Sequence, residues 1–167
     1  MTMEELNQLP EEECSKALFN CCGSTSWVNE MLGKRPFSSE IALKEQAVAV
    51  FCSCTEKDWL EAFAHHPRLG DRKNLKEKFA ATRHWAGEEQ SGTAKASESV
   101  LAQLEQANLD YEKKFGFTYI LCAAGRSASF MLESLQDRLS NQRDEELNIA
   151  MEEQNKITKL RLEKLLS

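Results

Sequence analysis

Helix start and stop signals follow one another so closely along this chain that short helices joined by tight turns are the natural reading of most of it. Thr2 with Glu5 has capping-box spacing and predicts a first helix through about Leu9. Pro10 followed by Glu11-Glu12-Glu13 predicts a second, with proline in the first turn, carboxylates at the positive dipole end and Gly23 closing it. Ser24-Thr25-Ser26 caps a third through Trp27, Val28, Met31 and Leu32, ended by Gly33. Arg35-Pro36-Phe37 reads as a connector, after which Ser38 or Ser39 caps a helix carrying Ile41, Leu43, Ala47, Val48 and Phe51. Thr55 with Asp58 opens another over about 56–64.

Composition agrees with that pattern and excludes several classes. Seven Gly and three Pro in 167 residues fall well below the usual share of about 12%, and with much Ala, Leu, Glu and Lys this favours a mainly helical protein. The length suggests one domain, residues 1–167. A formal charge of −6 argues against a nucleic-acid partner. No apolar run approaches the roughly 20 residues of a membrane span, and Met1-Thr2-Met3-Glu4-Glu5 lacks the regions of a signal peptide. Of the six cysteines, Cys14, Cys21, Cys22, Cys52, Cys54 and Cys122, none forms a Cys-x-x-Cys pair. They read as reduced, mostly buried small hydrophobes. With His65, His66 and His84 they make no familiar zinc spacing, so no metal is expected.

Beyond Pro67 the pattern loosens. Asp71 to Lys78 is charged, and Arg83-His84-Trp85-Ala86-Gly87-Glu88-Glu89-Gln90 opens a Gly- and Ser-rich part, to about Ser97, that resembles a linker but carries unusual residues for one. Val100, Leu101, Leu104, Ala107, Leu109 and Tyr111 lead to a helix end at Lys113-Lys114-Phe115-Gly116, where the lysines suit the dipole and Gly116 the left-handed turn. Phe117-Thr118-Tyr119-Ile120-Leu121-Cys122-Ala123-Ala124-Gly125 is the most apolar run. It fits a buried strand or a buried extended link, and periodicity does not separate the two. Ser127 starts a helix through Phe130, Met131, Leu135 and Leu139, ended by Asn141, and a last one spans about 144–166. At 100° per residue, Leu147, Ala150, Gln154, Ile157 and Leu165 share an arc with Arg161 near its centre. A guanidinium there needs an anionic or carbonyl partner, which an internal bridge or a ligand can supply.

The other informative stretch is Ala64-His65-His66-Pro67-Arg68-Leu69-Gly70. Pro67 turns His66 away from helical geometry, and Gly70 permits a turn, so an imidazole stands at a helix exit on a short stiff loop. Two readings are open locally: a histidine stabilising the helix dipole, or an aimed acid–base group.

Taken together the motifs resemble a known family. His66-Pro67-x-Leu69-Gly70, Glu89-Gln90, Phe115-Gly116-Phe117 with Ile120 to Ala123, and Leu160-Arg161-Leu162 occur in that family's order, as do Leu6-Asn7-x-Leu9-Pro10, Cys21-Cys22-Gly23-Ser24 and Trp27. The chain is similar to the 2-oxo-4-hydroxy-4-carboxy-5-ureidoimidazoline (OHCU) decarboxylases, which make (S)-allantoin in urate breakdown. The resemblance covers nearly the whole chain and implies an all-helical, cofactor-free, commonly dimeric protein acting on a small molecule. With the helices above, the expectation is an all-α single-domain bundle of about seven to nine helices with one buried extended segment near 117–124. By position, His66 matches the family's catalytic histidine and Pro67 its binding-loop proline. Glu89 and Gln90 match the polar pair on the substrate, with Glu89 given a catalytic part. Tyr119, Ile120, Leu121, Cys122 and Ala123 match the segment whose backbone holds ring and ureido groups, and Arg161 the arginine on the ligand's carbonyl side. Ala86 stands where many relatives have Ser, so one substrate hydrogen bond is lost or supplied elsewhere, at a cost of about 1 kcal/mol.

The chemistry suits these residue types. The substrate's carboxylate sits on a carbon that also bears a hydroxyl beside a C=N, so losing CO₂ pushes electrons into that C=N without a metal or pyridoxal sink. Orientation and proton management remain for the protein. An imidazole with an ordinary pKa near 6.5 can exchange that proton at neutral pH. Two readings from other classes compete: a helical interaction module, and a small-molecule binder keeping the pocket without turnover. The resemblance implies a peroxisomal or cytoplasmic place, although Leu165-Leu166-Ser167 is not an S-K-L type ending. Some relatives are fused to a hydroxyisourate hydrolase domain, so an excised domain is one expectation for this chain.

Overall fold

The computed structural model describes residues 1–67 and 90–167, the side chains of 90–97 apart. Within them the chain forms eight helices and no strand: α1 (Met3–Gln8), α2 (Glu11–Cys21), α3 (Thr25–Leu32), α4 (Glu40–Ser53), α5 (Glu56–Ala64), α6 (Gln90–Phe115), α7 (Ala128–Arg138) and α8 (Arg143–Leu165). Leu69, Gly70, the charged run 71–78, Ala86 and Glu89 lie outside the described residues.

Local chemistry sets most boundaries. Thr2 and Thr55 form capping boxes with Glu5 and Asp58, and Ser24, Ser39 and Ser127 accept from the amides of Trp27, Ala42 and Phe130. Each meets an amide that helix geometry leaves without an internal partner. Pro10 occupies the N-cap position of α2, one place earlier than the sequence suggests. Gly116 takes the left-handed φ of 79° expected after α6. Two readings change. The Gly- and Ser-rich stretch that resembles a linker is already helical from Gln90. Gly23, expected to close α2 by its conformational freedom, has no positive φ and serves another purpose described below.

The chain divides into two compact units: Met1–His65 with Ile149–Ser167, and His66–Asn148. In the first, α3 packs on α2, α4 and α5 around buried Leu18, Trp27, Met31, Leu43, Phe51 and Phe63. The Trp27 indole donates to the Ala47 carbonyl at 2.9 Å, which satisfies its one polar atom inside the core. Asn7 holds the 35–37 connector by two bonds: its Nδ2 donates to the Phe37 carbonyl at 2.9 Å and its Oδ1 accepts from the Phe37 amide at 2.8 Å. Arg35 returns a hydrogen bond to the Leu9 carbonyl at 2.8 Å. The Leu6-Asn7-x-Leu9-Pro10 motif thus has a packing reason.

In the second unit α6 packs on α7, and the apolar run after Gly116 is an irregular link with neither helix nor strand. Phe117, Tyr119 and Ile120 are buried, Leu121, Cys122 and Ala123 half-buried, and Ala124 exposed. Burial is therefore limited to the first half of the segment. The rings of Phe115, Phe117 and Tyr119 surround that of Tyr111, with centroids 4.6, 5.8 and 5.3 Å away.

Candidate active site

Helix α5, which delivers the two histidines, is fixed at several points in the first unit. Asp58 accepts from the Thr55 amide at 2.9 Å and from the Ser26 hydroxyl at 2.7 Å. These bonds, that from Ser26 foremost, hold its carboxyl below the usual carboxylate range. One turn on, Glu61 accepts from the Thr25 amide at 3.1 Å and the Thr25 hydroxyl at 2.6 Å, so its charge sits at the amino end of α3. The Trp59 indole donates to the Phe51 carbonyl at 2.7 Å. With two side chains on α3 and one on α4, the helix has little freedom to slide.

His65 is the C-cap residue of α5, still in helical geometry, and its ring meets Phe19 edge-on at 4.8 Å. Gly23 lies directly beneath. A Cβ there would stand 2.6 Å from the His65 Cβ, closer than real atoms approach. The glycine is required by that closeness and not by a turn. His66, half-buried, is the first residue of the second unit, and Pro67 is exposed.

The stretch that carries Gly23 also receives Arg161. From α8 the guanidinium Nη1 donates to the Asn20 carbonyl at 3.3 Å and the Cys21 carbonyl at 3.5 Å. These long bonds satisfy carbonyls at the end of α2, where a cation is favoured by the dipole. Residues 20–23 therefore touch Arg161 at one end and His65 at the other. Arg161 is half-buried and stands at the edge of the deep face of α8, which runs through Ala150, Gln154, Thr158 and Leu162. The wheel reading that centred Arg161 on the core is corrected accordingly. Beside it, burial pushes the thiol of Cys21 up to about 11, with Arg161 opposing, and that of Cys22 up to about 12, with a Thr158 hydrogen bond opposing. These thiols stay protonated at neutral pH and are not nucleophiles.

In the second unit, residues 119–123 are held from α7. The Tyr119 hydroxyl pairs with Ser134 at 3.1 Å. Arg138 donates through Nη1 to the Ile120 carbonyl at 2.7 Å and through Nε to Glu146 at 2.6 Å, while its guanidinium lies 4.5 Å from the Tyr119 ring centre. Sequence reasoning missed this pair. The signal was present: Arg138 falls seven and three residues after Met131 and Leu135 on the apolar stripe of α7, and Glu146 four before Ala150. Gln90 is the first residue of α6 and its side chain, like Glu89 and Ala86, lies outside the described residues. Among the described residues no group of three or more His, Cys, Asp or Glu side chains is placed to hold a metal ion. No described helix is long and apolar enough to cross a membrane.

Comparison with known proteins follows the same lines. The sequence model of the OHCU decarboxylase family matches residues 7–163. A uric acid degradation bifunctional protein of Arabidopsis thaliana is 38% identical over 147 residues, covering 88% of this chain. The chain spans 45% of that relative's length. A 2-oxo-4-hydroxy-4-carboxy-5-ureidoimidazoline decarboxylase of Halalkalicoccus jeotgali is 28% identical over 99% of this chain and 92% of its own. Among solved structures, a crystal structure of OHCU decarboxylase in the presence of (S)-allantoin superposes with a TM-score of 0.73 at 31% identity, covering 95% of this chain and 99% of that one.

Proposed function

The chain belongs to the OHCU decarboxylase family, and on that premise we propose that it removes CO₂ from OHCU to give (S)-allantoin in urate breakdown. The observation that carries the proposal is the family match across residues 7–163, taken with the way residues 20–23 meet both Arg161 and His65. In the reaction the bond from the carbinol carbon to the carboxylate breaks, and its electron pair forms a C=C bond as the adjacent C=N pair moves onto nitrogen, which takes up a proton. The enol hydroxyl then gives up its proton to become a carbonyl, and a proton completes the neighbouring carbon. His66 exchanges that proton, held at the exit of the tethered α5. Glu89 orients the imidazole or the substrate, and its charge beside the carboxylate favours departure of CO₂. Gln90, Arg161 and the backbone of residues 119–123 hold the urea-like edges, with Pro67 shaping the loop and Ala86 contributing only its methyl. The protein assembles as a homodimer and works beside or fused to a hydroxyisourate hydrolase domain; a bifunctional uric acid degradation relative, more than twice as long as the stretch matched, supports a further domain.

The test follows the circular dichroism of OHCU generated from urate, with and without the protein. Faster growth of the (S)-allantoin signal supports the decarboxylase. Decay at the spontaneous rate overturns it, and stabilisation of the protein by (S)-allantoin then marks a binder, its absence an interaction module.

A further inference from the structure

Arg138 is the most deeply held cation described in the second unit, and it serves no part of the reaction above. It is 7% exposed, and Glu146 beneath it is fully buried. Nη2 lies 2.5 Å from Glu146 Oε1, and the same carboxylate accepts from the Tyr111 hydroxyl and, at 3.1 Å, from Asn141. Burial works against the charge on Arg138, yet its bonds to Glu146 raise its pKa overall, so it stays cationic. A buried pair of this kind adds little net stability compared with apolar residues of the same volume, because both ions give up hydration. Its better use is to fix geometry.

What it fixes is one peptide group. The Arg138 Nη1 grips the Ile120 carbonyl at 2.7 Å, while the guanidinium carbon lies over the Tyr119 ring, 4.5 Å from its centre. The peptide is planar and trans, so orienting the Ile120 oxygen also orients the Leu121 N–H on the opposite edge of that plane. This is also where the segment rises from buried Ile120 to half-exposed Leu121. We propose that Arg138 is a positioning residue: by holding the Ile120 carbonyl it aims the Leu121 amide at the substrate, a role that rests on the decarboxylase reading of residues 119–123. The fork of guanidinium donors is what allows one side chain to serve Glu146 and Ile120 together. A lysine ammonium keeps the charge and loses the fork.

The experiment compares wild type, Arg138→Lys and the double variant Arg138→Met with Glu146→Gln, which leaves no buried charge behind. Melting temperature, kcat and KM on freshly generated OHCU, and the Kd for (S)-allantoin are read for each, well below melting. Both variants are expected to fold, to keep kcat within about threefold, and to raise KM and Kd about tenfold, the loss of one well-aimed hydrogen bond. Lowered melting with KM and Kd unchanged in both makes Arg138 a purely structural residue and overturns the proposal alone. Wild type that neither turns over OHCU nor binds (S)-allantoin overturns the decarboxylase reading and this inference with it.

Discussion

Gly23 and His65 are packed backbone against side chain, so that a methyl group on Gly23 would lie 2.6 Å from the His65 Cβ and 2.7 Å from its ring. The nearest atom is the Cβ, close to the main chain, and it cannot swing aside as the tip of a long side chain can. Gly23→Ala must therefore push the last turn of α5 away, and His66 follows that turn directly. The expected outcome is a loss of about 1–3 kcal/mol in urea unfolding, as for overpacked cores, together with a drop in kcat/KM. His65→Ala does not relieve the clash, because it retains the Cβ. His65→Gly in the Gly23→Ala background does, and recovers stability relative to the single Gly23→Ala variant.

His66 is assigned the proton transfer, so its loss should act on turnover more than on folding. It is half-buried and lies past the end of α5. His66→Ala is expected to lower kcat by about 10²–10⁴, the usual share of a positioned acid–base group, with a melting temperature close to wild type. Stopped-flow circular dichroism on fresh OHCU reads the rate. Wild-type kcat in this variant would remove His66 from the mechanism.

Arg161 offers a contrast, since its bonds within the protein are long. At 3.3 and 3.5 Å to the Asn20 and Cys21 carbonyls, from a half-buried side chain, they contribute little to folding. Arg161→Met keeps the stem along the α2 end and removes the donors. Melting is expected to fall by no more than about 2–4 °C, equivalent to roughly 1 kcal/mol in a chain of this size. KM for OHCU should nevertheless rise about tenfold if the guanidinium also serves the ligand, a charged hydrogen bond being stronger than a neutral one. A large melting loss with KM unchanged would make Arg161 a cap for α2 and nothing more.

These residues also show which parts of the fold could be read from the chain. The caps could, because Thr2 with Glu5 and Thr55 with Asp58 act within one turn of helix and need no distant partner. The exit of α5 before His66 was legible for the same reason. Gly23 was not: its requirement comes from His65, far along the chain, and local rules offered only a turn. Arg161 was placed too deep because the wheel gave α8 a single buried face along its whole length. The helix in fact passes from one compact unit to the other between Asn148 and Ile149, and its buried line shifts toward Thr158 and Leu162. Arg138 and Glu146 escaped because charged residues default to the surface, and it takes their mutual pairing, with further bonds to Ile120, Tyr111 and Asn141, to let both sit on apolar stripes. The start of α6 at Gln90 escaped because Ser91, Gly92 and Thr93 are weak helix formers.

The buried thiols give the first unit a defined response to alkali. Burial pushes Cys21 to about 11, Cys22 to about 12 and Cys54 to about 11, against an ordinary value of 9.0 that applies once the chain unfolds. Between those values the unfolded chain has released protons that the folded one still binds, so stability must fall as pH rises. The stabilising contribution is whole below about pH 9 and disappears as pH climbs through 9 toward 11–12. For Cys22 alone the slope within that window is at most about 1.4 kcal/mol per pH unit, one proton's worth. Urea unfolding at pH 8, 9 and 10 should show little change over the first step and a decline over the second. Cys22→Ala, which removes the titrating group, should make that decline shallower. Thiol labelling at pH 8 provides the companion measurement: exposed Cys52 should react in the folded protein, while Cys21 and Cys22 should wait for unfolding. Equal labelling rates for Cys52 and Cys22 in the native state, or identical slopes for wild type and Cys22→Ala, would contradict this account of the α2 end.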